Sequence, residues 1–113
     1  MVEIIIDSRE LKLKEIIPKD LDLNIEFKNL DLGDIIFKKD DKEILIVERK
    51  TINDLYSSIR DGRYKEQKIR LLENYNINQI LYIIEDTNNT YKLNKSIIMG
   101  AILNMTFRDK IKI

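Results

Sequence analysis

The chain has 113 residues, with twenty basic and twenty acidic side chains, one proline, and neither histidine nor cysteine. That length supports one hydrophobic core without staples and does not fit a second globular domain; the missing residue types exclude disulfides, thiolate and imidazole metal sites, cysteine nucleophiles and histidine bases. Chemistry must rest on carboxylates, lysine, hydroxyls and bound ions, and with apolar runs no longer than 44–47 and 80–84, far short of the roughly 18 residues of a spanning helix, an intracellular protein away from membranes is expected.

Residues 2–6 form a β-branched apolar run ending in Asp7-Ser8-Arg9-Glu10, the pattern of a buried strand entering a loop or helix start. Leu11, Leu13, Ile16 and Ile17 suggest a short amphipathic helix, stopped near Pro18, whose ring lacks the N–H a continuing helix uses. Residues 23–27 alternate as a strand. After Gly33, residues 34–38 and 44–50 read as two strands joined by the polar tract Asp40-Asp41-Lys42, a hairpin signal. Residues 51–60 are helical, with Ile52, Leu55, Tyr56 and Ile59 on one stripe. Asp61-Gly62 interrupts, and residues 64–74 resume a helix expected to bury Ile69 and Leu72 with Tyr64 or Leu71 beside them. Residues 80–84 are a buried strand, 85–90 a polar loop, and Ile97, Ile98, Ala101, Ile102 and Met105 mark a further helix; residues 110–113 alternate like the start of a strand. Strands arriving first as a meander, then helix, strand, helix and strand, predict an α/β domain over residues 1–113 with a mixed central sheet flanked by helices.

Zero net charge hides a division along the chain. Residues 1–48 carry eight basic and thirteen acidic side chains, residues 49–70 seven and three, and residues 71–113 five and four. An acidic first half running into a basic stretch suits a cation held beside a polyanion, although helices also alternate charge freely.

The hairpin is the most informative segment. Successive side chains of a strand point to opposite faces, so Glu48 and Lys50 share one face while Val47 and Arg49 share the other. Asp34 opens the partner strand directly after Gly33, a residue suited to positive φ. A two-residue turn at Asp41-Lys42 sets Asp34 opposite Arg49; an odd loop length or a bulge is predicted instead, placing Asp34 opposite Glu48 or Lys50. Two carboxylates meeting at one point repel and call for a hard cation. Mg²⁺ fits, because it takes oxygen ligands and is commonly shared between carboxylates and substrate phosphates. Lys50 beside it would position an attacking water or stabilise developing charge. On spacing alone, an ordinary charged surface hairpin accounts for the same residues equally well.

Gly33-Asp34, then Glu48-Arg49-Lys50, then Asp54, resembles the GD…ERKxxxD signature of the XPF/Hef/Mus family of structure-specific DNA endonucleases. The likeness extends to Asp7-Ser8-Arg9-Glu10 and to residues 57–71, SSIRDGRYKEQKIRL. It implies a restriction-endonuclease-like core and cleavage near branched or flapped DNA with Mg²⁺ or Mn²⁺, leaving a 5′-phosphate and a 3′-hydroxyl. It also implies that Asp34, Glu48 and the Arg49 backbone carbonyl bind metal and that Lys50 assists the water. Asp7, Arg9, Glu10, Arg49 and Asp54 then complete or support the site. The family further implies a homodimer or a heterodimer with a related subunit, and a helix-hairpin-helix or helicase part supplied elsewhere, in the nucleus of a eukaryote or the cytoplasm of a prokaryote.

Simpler roles compete for the supporting residues. Asp54 lies three after Thr51, capping-box spacing; Arg49 is able to pair with Asp34 or Asp54 as a structural bridge; Asp7 and Glu10 suit the N-terminal dipole of the following helix; Gln67 either hydrogen-bonds across the site or lies on an exposed helix face. Arg60, Arg63, Tyr64, Lys65, Lys68 and Arg70 suit DNA phosphates, and a solvated helical face explains the same charges. Two alternatives to the endonuclease stay open at this point: a non-catalytic DNA-binding partner subunit, and a junction resolvase of the same broad fold.

Overall fold

A computed structural model describes residues 2–86 and 93–113. Its strands are β1 (Val2–Asp7), β2 (Asn24–Lys28), β3 (Ile35–Lys39), β4 (Lys42–Thr51) and β5 (Ile80–Glu85), joined in one mixed sheet in the order β2-β1-β3-β4-β5. β1 and β2 run parallel through the short helix α1 (Leu11–Ile16), β3 is antiparallel to both β1 and β4, and β5 is parallel to β4. The expected opening meander is therefore corrected. A helical crossover returns β2 in the direction of β1, so β2 becomes the sheet edge and β3 takes the inner place.

The β3–β4 hairpin sets the register that matters. Lys39 pairs with Lys42 across a two-residue turn in which Asp40 and Asp41 both have positive φ, 51° and 63°, as tight hairpins require. That turn alone aligns Asp34 with Val47. A bulge between Phe37 and Lys38, where Ile44 is the extra residue on β4, moves the register by one. Ile35 then faces Val47, the last pair of the ladder, and Asp34 and Glu48 are the residues that follow it on the two strands. The turn is Asp40-Asp41, one residue before the expected Asp41-Lys42, and of the two expected irregularities, an odd loop length or a bulge, it is a bulge that is present.

α2 (Ile52–Asp61) lays Leu55 fully into the core, with Ile52, Tyr56 and Ile59 packed around it. Gly62, at φ 86°, ends α2 in the left-handed conformation that caps many helices and starts α3 (Arg63–Asn74). The buried stripe of α3 differs from expectation. Tyr64, Lys68 and Leu71 face inward, and Ile69 and Leu72 remain 42% and 38% exposed. Lys68 hid this stripe from a hydrophobicity reading; its ammonium tolerates burial because it meets Asp109 at 2.8 Å. α4 (Lys95–Leu103) continues into a π-helical turn, Asn104–Arg108, and together they bury Ile98 and Met105. The expected terminal strand is a single parallel bridge from Lys112 to Leu81, anchored by buried Ile111. Of the expected 85–90 loop, Glu85 belongs to β5 and residues 87–90 lie outside the described residues. Among the described residues no helix is long and apolar enough to cross a membrane.

Gly33 joins this frame to the site. Its φ is +76°, and a Cβ there would lie 2.5 Å from Ile46 Cγ1. Gly33→Ala is expected to cost about 2–4 kcal/mol, from positive φ and overpacking together. Urea denaturation checks this; a loss below about 0.5 kcal/mol, the usual scatter of surface changes, would contradict it.

Candidate active site

Asp34 is held by backbone on both sides. Its N–H donates to the Val47 carbonyl and its carbonyl accepts from the Asp7 N–H, each at 2.8 Å. Its carboxylate Oδ2 accepts the Arg49 N–H at 2.7 Å, replacing a ladder carbonyl just past the last paired residues. The side chain is thus fixed alongside Glu48 rather than free in solvent. Lys50, on the Glu48 face, is only 4% exposed, with Nζ 3.1 Å from Asp54 Oδ2 and 4.0 Å from Glu48 Oε1. Asp54 makes only the backbone half of a capping box: its N–H donates to the Thr51 hydroxyl at 3.0 Å, and its carboxylate goes to Lys50 instead of back to Thr51.

Bringing acids together out of water changes their protonation. Burial, then the neighbouring Asp34 charge, pushes the Glu48 carboxyl up to about 7. Burial also raises Asp34, against the Arg49 N–H that favours its charged form, and raises Glu10, to which Asp34 adds. Asp7 behaves oppositely. The Arg9 guanidinium grips it through Nε at 2.9 Å and Nη2 at 2.6 Å and holds it well below the usual carboxylate range.

Arg49 points to the other face of β4. Its Nη1 reaches Glu10 at 2.8 Å and its Nε reaches Glu85 at 2.7 Å. The side-chain pairing with Asp34 or Asp54 is not formed; Arg49 meets Asp34 through its backbone N–H. Glu10 serves this bridge and makes no side-chain cap on α1. Glu85 was missed in the sequence, where it reads as the first residue of a polar loop. Its signal was topological: parallel β4 and β5 align Thr51 with Glu85, so the strand ends carrying the site converge.

Gln67 is half-buried on α3 and lines a cavity of about 320 Å³ with Arg9, Asp34, Glu48 and Arg70. Arg60, Arg63 and Lys65 are exposed around the α2–α3 corner; Arg63 pairs with Asp61 at 2.8 Å and Arg60 lies over the Tyr56 ring. Tyr64 and Lys68 are instead drawn into the core.

The donors at Asp34 and Glu48 are all oxygen, both acids are lifted by burial, and an ammonium stands beside them. An all-oxygen donor set of this kind fits a small hard divalent cation. Among the described residues no group of three acidic side chains is arranged to hold an ion, so the remaining oxygens would come from a backbone carbonyl, water or substrate.

The ERCC4 domain model matches residues 6–113. The chain belongs to the ERCC4 domain family. It is similar to the probable crossover junction endonuclease mus81 of Dictyostelium discoideum, 41% identical over 96 residues that cover 74% of this chain and 10% of that protein. Crossover junction endonuclease MUS81 of Arabidopsis thaliana is 35% identical over 85 residues, 69% of this chain and 13% of that protein. The solved structure of XPF from Aeropyrum pernix in complex with DNA superposes with a TM-score of 0.72 at 26% identity, covering 99% of this chain and 55% of that one. The chain therefore spans about a tenth of these curated relatives and about half of the solved chain. The mixed sheet flanked by helices is the fold it shares with that structure.

The lifted Glu48 has a measurable consequence in this family member. Between pH 4.5 and about 7 the folded chain keeps a proton on Glu48 that the unfolded chain has lost. Stability therefore falls as pH rises through that window, by on the order of 3 kcal/mol at pH 8. With chelator present, Glu48→Gln is expected to stabilise the chain at pH 8 and to flatten this dependence. Urea denaturation at pH 5 and pH 8 tests it; the same pH dependence in both proteins would contradict it.

Proposed function

We propose that this chain is the metal-dependent nuclease domain of a structure-specific DNA endonuclease that hydrolyses phosphodiester bonds near branched or flapped junctions. The observation that carries this is Asp34 and Glu48 lining one cavity just past the end of the β3–β4 ladder, with the buried Lys50 ammonium beside Glu48. The MUS81 relatives are named crossover junction endonucleases and the XPF structure holds DNA, which supports a branched DNA substrate. The complete acidic set favours catalysis over a silent partner subunit.

Asp34, Glu48 and the Arg49 carbonyl would hold Mg²⁺ or Mn²⁺, which when bound neutralises phosphoryl oxygens and lowers the pKa of a coordinated water. Lys50, kept in place by Asp54, donates hydrogen bonds toward the attacking water and the charge developing on phosphorus-bound oxygen. The Arg49 bridge to Glu10 and Glu85 fixes the strand whose N–H orients Asp34. The Asp7–Arg9 pair stiffens the loop after β1. Water oxygen bonds to phosphorus, the bond to the 3′ oxygen breaks, and that oxygen takes a proton, leaving a 5′-phosphate and a 3′-hydroxyl. Exposed Arg60, Arg63 and Lys65 add phosphate contacts that carry salt dependence without base sequence. A related subunit, or a helix-hairpin-helix or helicase part, would supply further substrate selection, in keeping with how little of its relatives the chain spans.

End-labelled fork, flap, four-way and linear DNA, each with Mg²⁺ or with chelator, tests the reading. Cutting near the junction is expected only with the ion, and Asp34→Asn or Lys50→Met is expected to slow it by roughly 10²–10⁴-fold with the melting transition retained. Cutting at the wild-type rate by both variants would overturn the assignment.

A further inference from the structure

The cavity beside Asp34 and Glu48 carries more than the hydrolytic groups need. It is lined also by residues 30–33, by Gln67 and Arg70 of α3, and by Arg9. Neither Arg60, Arg63 nor Lys65 lines it. Its 320 Å³ is at the small end of ligand sites, room for one nucleotide unit and not for a duplex.

The wall is incompletely satisfied. The Arg70 side chain has no carboxylate partner among the described residues; its one hydrogen bond there is Nη2 to the Asp31 carbonyl at a long 3.4 Å. Arg9 uses Nε and Nη2 on Asp7 and the Leu30 carbonyl, leaving its other terminal nitrogen to a ligand. The Gln67 Oε1 is buried with no hydrogen-bond partner, an acceptor left for a donor such as a water held by a ligand. Two guanidinium groups with unused donors on one small cavity match the non-bridging oxygens of a phosphodiester. A strand whose cut phosphate lies at Asp34 and Glu48 brings its next phosphate close to the same acids, where repulsion must be offset by cations on that cavity.

We propose that this cavity seats the phosphate adjacent to the one cut, with Arg70 as the principal contact, Arg9 beside it, and the Gln67 Oε1 accepting from a water that the phosphate holds. The proposal rests on the nuclease reading above and assigns a single-stranded backbone subsite to it.

The test places one neutral methylphosphonate at each phosphate within about two nucleotides of the mapped cut in fork DNA and measures single-turnover cleavage. At one position next to the cut, the neutral group is expected to slow the wild type about tenfold and Arg70→Ala less than about twofold, because the charge contact is already gone. Arg70→Lys, which keeps the charge without the fork geometry, is expected to fall between them and carries the comparison if the alanine variant is too slow to follow. Profiles with the same positional sensitivity in wild type and variants would overturn the subsite while leaving the nuclease reading intact. No cutting of unmodified DNA with Mg²⁺ would overturn the nuclease reading, and the subsite with it.

Discussion

Asp34 and Glu48 line one cavity just past the end of the β3–β4 ladder, and nothing about their charge favours that meeting. Backbone geometry imposes it. Gly33 turns the chain at a φ that leaves no space for a side chain, Ile44 bulges out of β4, and the Arg49 N–H holds the Asp34 carboxylate in place of a ladder carbonyl. The consequence is a Glu48 carboxyl that half-retains its proton near neutral pH. Repulsion between two part-buried acids is concentrated at this one place, which is why the proposed cation is assigned to it.

The surroundings divide their work by the two faces of β4. On the Glu48 face Lys50 is buried, and it is steadied by Asp54 from the first turn of α2. On the other face Arg49 reaches forward to Glu10 and sideways to Glu85, fastening the loop after β1 and the end of β5 to the strand between them. α3 is divided too. Tyr64, Lys68 and Leu71 pack inward, so the cations left at the surface are Arg63, Lys65 and Arg70, and only Arg70 turns to the cavity at the acids. A net-neutral chain thereby keeps cationic groups next to its acidic site.

Much of this was legible from residues alone. Alternation in 44–50 fixed which side chains share a face, and the clash between a plain turn and a paired-carboxylate site correctly demanded a bulge. The α2 stripe was plain because all four of its residues are apolar. What escaped depended on distant parts of the chain. Lys68 reads as surface until Asp109, forty-one residues on, is seen to pair with it. Glu85 reads as loop until β5 is laid parallel to β4. The opening meander failed because a six-residue helix suffices to reverse the chain, and local pattern does not say on which side of β1 the next strand lands. Sequence spacing specifies faces and periods; partners across the sheet come from topology.

The proposed chemistry requires the Asp34–Glu48 pair to be a cation seat and not a structural accident. Mg²⁺ titration calorimetry at pH 7.5 addresses that directly, without DNA. One bound ion per chain is expected for the wild type, with proton release as Glu48 ionises, and no measurable binding for Asp34→Asn. Equal Mg²⁺ binding by the wild type and the variant would contradict it.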